Sequence, residues 1–190
     1  QALMRSQITA DEEKQAQKSF LRAMEIYEQI LSSHGESELL PDVFFSRGYA
    51  LQLQEDGRAG EDYSRMVADY PDHPATPNAL LQLARIDLEA GNYETAQATY
   101  QRLISTYPES NPVNSAKMER GLCLKNTGDL SSAIASFESI DPQWGQWAKV
   151  QAELADLYVR SGDQDTAKIV LSNALDAVQD DDVLSGQLLY

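Results

Sequence analysis

The chain has 190 residues, 42% of them hydrophobic, which suits one domain with a sizeable core or a short solenoid and is too apolar for a disordered segment. Its 30 acidic against 15 basic residues give a net charge of -15, which opposes binding to nucleic acid phosphates and to anionic membrane surfaces. One cysteine, Cys123, excludes an internal disulfide; flanked by Leu122 and Leu124, it reads as a small core residue.

Taken in chain order, residues 1–9 read as frayed and residues 10–33 as a helix. In that helix Phe20, Ala23, Met24, Tyr27, Ile30 and Leu31 recur at helical spacing. After the loop His34–Glu38, residues 41–56 predict a helix with Val43, Phe44, Tyr49 and Leu53 apolar, paired with a second helix at about 58–69. Together they make a unit at 41–71, and three further units follow at 77–110, 114–142 and 143–177. In the last, Asp141 stands as an N-cap with Pro142 at the first helical position, which predicts a helix over 142–160 carrying Trp144 and Trp147. Residues 180–190 predict a cap turn leading into a capping helix. No segment alternates as a strand does, so the expected class is all-α.

The units emerge when the chain is aligned with itself. Gly57, Gly91, Gly128 and Gly162 recur, and seven residues before them stand Ala50, Ala84, Gly121 and Ala155. Five residues after the last three glycines come Ala96, Ala133 and Ala167, then Tyr100, Phe137 and Leu171, then Leu103, Ile140 and Ala174. Small residues on both helices of a pair let their backbones approach, a glycine supplies the left-handed turn, and Asn92, Asp129 or Asp163 can cap the second helix. This pattern resembles the tetratricopeptide repeat, which implies a right-handed α-solenoid formed as a single domain over 1–190. The unit at 41–71 departs from it: Ala59, Tyr63, Met66 and Pro71 come three places early, which predicts a shortened turn. Asp87 stands where an aromatic is usual, and Lys117 and Arg120 replace apolar residues. The residues Ala23, Tyr27 and Ile30 resemble the second helix of a repeat, standing alone at the N-terminus.

Catalytic chemistry finds no foothold in the residues. The two histidines, His34 and His73, sit in loops and read as solvated, because a zinc site needs three or four clustered ligands. The Asp163-x-Asp165 pair lacks the later ligands of a calcium loop and reads as a helix cap. There is no nucleophile-elbow motif and no phosphate-cradling glycine loop, so no cofactor, metal or catalytic residue is expected.

The better candidate is the inner groove that the first helices of such repeats line. Helical spacing places Asn78, Leu81, Arg85 and Leu88 there in one unit, with Glu89 beside them. The next unit contributes Met118, Leu122, Lys125 and Asn126, and the last Lys149 and Arg160 with Val159 and Asp156. Apolar Leu81, Met118 and Leu122 mixed with cationic Arg85, Lys125 and Arg160 suit a protein or peptide segment with apolar anchors and acidic groups. The alternative is that Leu81 and Leu122 are half-buried packing residues. Of the two tryptophans, Trp147 is expected to pack between repeats and Trp144 to be the more exposed, as a candidate anchor for a partner. Leu81, Arg85, Glu119, Lys149 and Glu153 do not match the Lys-Asn-Arg clamp that grips a C-terminal carboxylate, so chaperone-tail binding is not expected.

Residues Phe137 to Trp147 through Ala155, and Ser161 to Ala167, resemble the ancillary Sec-translocon subunit family of bacteria. That resemblance implies an N-terminal membrane anchor, a repeat domain on the periplasmic side, and partners in protein translocation or chaperone hand-over. Tyr70-Pro71-Asp72 and Tyr107-Pro108-Glu109 are also similar to outer-membrane assembly lipoproteins and to the Tol-Pal cell-division coordinator. A chain opening Gln1-Ala2-Leu3-Met4-Arg5 shows no signal-peptide core, and removal of an anchor or signal from upstream is compatible with that start. No stretch of the sequence is apolar enough to insert in a bilayer directly. The other class of function the pattern allows is self-association into a homo-oligomer through the open ends of the array.

Overall fold

The computed structural model describes residues 2–35 and 37–179, with side chains described at 11–35 and 37–175. Among the described residues the fold is an all-helical repeat, with no strand. Helix α1 spans Ala2–Ser33 and stands before four helix pairs. The first helices are α2 (Leu40–Gln52), α4 (Thr76–Glu89), α6 (Val113–Thr127) and α8 (Trp147–Ser161). The second helices are α3 (Ala59–Asp69), α5 (Tyr93–Thr106), α7 (Leu130–Glu138) and α9 (Gln164–Gln179). Contacts group the described residues into two compact units, one ending at Leu80 and the other beginning at Leu81, the division falling inside α4. The capping helix expected at 180–190 lies outside the described residues.

In the first unit α1 packs on α2, and α2 on α3. Helix α1 begins at Ala2 rather than near residue 10, because no Gly or Pro interrupts strong helix formers until Gly35. Its residues 11–19 are all exposed, and among its described side chains the buried and half-buried ones lie in the C-terminal half, Met24, Tyr27 and Ile30 among them. Arg47 of α2 donates to both oxygens of Asp62 of α3 at 2.7 and 2.5 Å, and Asp62 is 3% exposed.

All four first helices end in the same turn, in which an N–H bonds the carbonyl five residues earlier. The pairs are Asp56 to Leu51, Asn92 to Asp87, Asp129 to Leu124 and Asp163 to Tyr158. The left-handed residue just before each donor is Glu55, Gly91, Gly128 and Gly162, at φ 55, 80, 89 and 89°. The first pair therefore corrects the repeat alignment. Gly57 does not take the left-handed position; Glu55 does, and Asp56 secures the turn by accepting the Arg58 N–H at 3.0 Å and pairing with its guanidinium at 2.8 Å. The hydrogen bonds from Arg58 hold the Asp56 carboxyl down to about 2. Ala59 follows Glu55 by four residues where Ala96, Ala133 and Ala167 follow their glycines by five, so the turn is short by one residue rather than three.

The small residue that admits the second helix is accordingly Gly48, not Ala50. A Cβ on Gly48 would lie 3.0 Å from the ring of Tyr63, and one on Gly121 would lie 2.7 Å from that of Phe137. Ala84 and Ala155 hold the same place in α4 and α8. In the second unit Met118, Leu124, Phe137, Ile140, Val150, Leu154 and Leu157 form one buried cluster spanning α6, α7 and α8. Each such apolar side chain contributes about 1.5–3 kcal/mol by leaving water.

The helix expected over 142–160 begins only at Trp147. Residues 141–146 instead form a turn: Trp144 N–H bonds the Asp141 carbonyl, Trp147 N–H bonds that of Trp144, and Asp141 Oδ1 accepts the Gln143 N–H at 2.8 Å. An Asp carboxylate that closes on its own chain two residues later favours a turn over a helix, and Gly145 weakens helix further. The second-helix caps form at Asp129, which accepts the Ser132 N–H, and at Asp163, which accepts the Thr166 N–H; Asn92 makes no such side-chain bond.

Candidate functional site

Within the second unit the expected groove residues separate into three groups. Leu81 and Met118 are 6% and 5% exposed, and Met118 belongs to the buried cluster. Neither can serve as an anchor for a partner, which corrects the expectation; Met118 is taken up in the buried cluster with Phe137 and Ile140. Leu88 and Leu122 are half-buried, and Leu122 also rests against the cluster. Asn126, Lys149 and Arg160 are exposed. Asn78 belongs to the first unit and is half-buried.

The cations are committed. Arg85 Nε donates to the two oxygens of Glu119 at 2.9 and 3.1 Å, and its terminal nitrogen bonds the same carboxylate. Buried Tyr100 of α5 donates its hydroxyl to Glu119 at 2.9 Å. Lys125 donates to Glu153 at 2.6 Å and to Asp156 at 3.1 Å, and Arg160 lies 3.9 Å from Asp156. Hydrogen bonding to Glu119 raises the Arg85 pKa. For Lys125 burial acts to lower the pKa, but the hydrogen bonds to Glu153 and Asp156 outweigh it and raise it. A partner's carboxylate would have to displace these internal ones to reach Arg85 or Lys125, whereas Lys149 and Arg160 are exposed.

These contacts form a ladder that the repeat dictates. Glu119 and Glu153 both stand two residues before the small residue of their helix, Gly121 and Ala155, and each takes a cation from the first helix before it. On α6 the stripe Glu119, Leu122, Lys125 runs at three-residue spacing, so Leu122 sits between the two ionic rungs. On α4 Leu88 follows Arg85 at the same spacing. The face thus offers Leu88 and Leu122 as apolar ground within neutralised ion pairs. The carboxylates were visible in the sequence, and their place relative to Gly121 and Ala155 is the signal that identifies them.

Trp144 and Trp147 are both half-buried and both pack against the cluster of the second unit. In the first unit the surprise runs the other way. Tyr49 and Leu53, apolar residues of the predicted helix, are 50% and 65% exposed, because Gly48, not Ala50, faces α3 and so turns Tyr49 outward. Cys123 is buried, and burial pushes its thiol pKa up. His34 is exposed; His73 is half-buried with Nε2 3.7 Å from Asp42. Among the described residues no three His, Cys, Asp or Glu side chains are grouped to hold a metal ion, and no helix is long and apolar enough to cross a membrane.

Paired helices with a small residue at every crossing and a glycine-type turn between them define a helical-repeat protein. The chain belongs to the tetratricopeptide repeat-like domain family, which matches it over residues 11–189. Among solved structures it is similar to MamA of Desulfovibrio magneticus RS-1, with 18% identity over 86% of this chain and 97% of that one, at a TM-score of 0.62. It is also similar to BtubC of P. vanneervenii, with 18% identity over 88% of this chain and 77% of that one, at a TM-score of 0.69. A third likeness is to a putative kinesin light chain of P. anserina with nearly identical repeats, with 16% identity over 88% of each chain, at a TM-score of 0.68. No curated protein matches the sequence. At these identities the likenesses show the fold.

Proposed function

We propose that this chain is a non-catalytic scaffold that holds a segment of another protein on the inner face of α4, α6 and α8. The observation that carries the reading is the pairing of Leu88 and Leu122, half-buried apolar side chains, with the flanking Arg85–Glu119 and Lys125–Glu153 rungs. An apolar patch rimmed by satisfied polar groups binds through its apolar centre while the rim excludes water. An extended or helical segment with apolar anchors fits such a face. A photocrosslinker at Leu122 should recover one dominant protein from cells, and loss of that product on Leu88→Asp should follow. Diffuse labelling, or no product, would count against the reading.

We place the scaffold on the periplasmic side of the bacterial cell envelope, tethered by an upstream anchor and working in protein translocation or chaperone hand-over. The resemblance of residues 137–155 and 161–167 to the ancillary Sec-translocon subunits supports this. An outer-membrane assembly or cell-division adaptor is the related alternative. Fractionation of cells producing the natural gene product, with a protease-accessibility readout, separates a periplasmic from a cytoplasmic location.

A self-associating module is the second reading, favoured by α9. Its Ile169, Leu171 and Leu175 are 62%, 45% and 49% exposed, whereas Tyr100 and Phe137, in the place of Leu171, are fully buried. Sedimentation velocity across a hundredfold concentration range tests it; a strictly monomeric chain removes it.

A further inference from the structure

The second unit also contains a cleft of about 400 Å³ between its two inter-repeat turns. The first turns of α6, with Asn114 and Lys117, line it together with Glu109 from one turn and Asp141, Gln143 and Trp144 from the other. The wall on the Asp141 side is held in place. The Asp141 N–H donates to Asn114 Oδ1 at 3.3 Å, and its Oδ1 accepts the Gln143 N–H at 2.8 Å. Trp144 packs against the buried cluster of α6 to α8 and lines the cleft as well.

Two properties of this cleft stand out. Lys117 occupies the place, four residues before the small residue, where Phe44 and Leu80 are 3% and 1% exposed in α2 and α4. A lysine there does not fill the space as those apolar side chains do, and its ammonium is drawn to the Ser139 carbonyl at 2.6 Å, at the C-terminal end of α7. The carboxylates of Glu109 and Asp141, by contrast, have no cation within ion-pair distance among the described residues. The lining therefore combines a tryptophan ring, two carboxylates without a counter-charge and one ammonium occupied by a carbonyl.

We propose that this cleft receives an arginine side chain of a protein partner. A planar guanidinium stacks on a tryptophan face and bonds carboxylates at its edge, which a lysine ammonium does less well. The net charge of -15 attracts a basic segment toward the surface before docking. The site is separate from the inner face of α4, α6 and α8 and holds whether or not that face binds a partner. The ammonium of Lys117 opposes the incoming charge, so it limits affinity.

The test is an NMR titration of the full ¹⁵N-labelled chain with the capped peptide Ala-Arg-Ala-Arg-Ala, and with the same peptide carrying citrulline in place of arginine. The arginine peptide should produce a saturable shift of the Trp144 indole N–H and the Gln143 amide, and the citrulline peptide should not. Glu109→Gln with Asp141→Asn should weaken the arginine peptide by at least about fivefold. An amide oxygen at 141 can still accept the Gln143 N–H, so the turn survives the change. Lys117→Met should tighten binding. Equal binding of the citrulline peptide, or an unchanged affinity in the double variant, overturns the proposal. Shifts confined to Leu88 and Leu122 would overturn it too while leaving the inner-face reading intact.

Discussion

Arg85 on α4 and Glu119 on α6 are joined through both carboxylate oxygens, and the hydroxyl of fully buried Tyr100 closes on the same group at 2.9 Å. One carboxylate thus ties together three helices of the second unit. The desolvated hydroxyl and the guanidinium depend on it, and burial pushes the Tyr100 phenol pKa well above its ordinary value. Glu119→Ala strands both donors and should cost about 2 kcal/mol in chemical denaturation. Glu119→Gln should cost less, since the amide oxygen still accepts one donor, and it leaves Arg85 without its counter-charge. The Gln variant should then bind acidic peptides that the parent chain ignores, as read by calorimetry at low salt.

The turn positions make opposite predictions for two substitutions. Gly128→Ala places a Cβ at φ 89° and should destabilise the chain by about 1 kcal/mol. Glu55→Gly relieves a left-handed glutamate whose side chain is exposed, and should leave stability unchanged or raise it by up to about 1 kcal/mol. Thermal unfolding of both variants decides whether the repeat alignment through Glu55 is correct. A loss on Glu55→Gly as large as that on Gly128→Ala would refute it.

The helix crossing at Gly121 is tighter than the one at Gly48. An added Cβ would meet the Phe137 ring at 2.7 Å in one case and the Tyr63 ring at 3.0 Å in the other. Both rings are fully buried, so neither can swing away. Gly121→Ala should cost about 2 kcal/mol, within the range for overpacked cores, and Gly48→Ala should cost less. Pairing Gly121→Ala with Phe137→Leu should recover part of the loss, which a denaturation series would show.

The caps at Asp129 and Asp163 carry a pH signature. Hydrogen bonds from the Ser132 side chain and N–H hold the Asp129 carboxyl below its usual range, and those from Thr166 do the same for Asp163. A carboxyl whose pKa is lower folded than unfolded stabilises the fold above the unfolded value, near 3.8, and loses that contribution as pH falls through the folded one. Asp129→Asn with Asp163→Asn should therefore lower Tm at pH 7 and flatten its fall between pH 5 and 3, measured by circular dichroism. A parallel shift of the whole curve would show that the caps do not titrate with folding.

Much of this fold was legible because the tetratricopeptide pattern encodes local rules. Ala84, Gly121 and Ala155, the glycines seven residues later, and the alanines five beyond those each answer a steric need confined to one helix pair. The first pair was misaligned because Gly57 looks like the turn residue, while Glu55 takes the left-handed position with Asp56 and Arg58 securing the turn beside it. By sequence the helix before Trp147 extends too far, because Asp141 and Pro142 read equally well as a cap or as the start of a turn. A hydrogen bond from Gln143 back to Asp141 decides between them.

The sequence by itself determined the helical class, the repeat and the small-residue crossings at Ala84, Gly121 and Ala155, because these follow from spacing along one chain. The tertiary structure decided which polar groups on the inner face remain available. Arg85 and Glu119, or Lys125 and Glu153, lie far apart in sequence, and only the stacking of successive repeats brings each pair within hydrogen-bond reach. On a face read as mixed apolar and cationic, that stacking pairs Arg85 and Lys125 with carboxylates and leaves Leu122 between the two ionic rungs. It also packed Trp144 against the core at the edge of a cleft that Glu109 and Asp141 line.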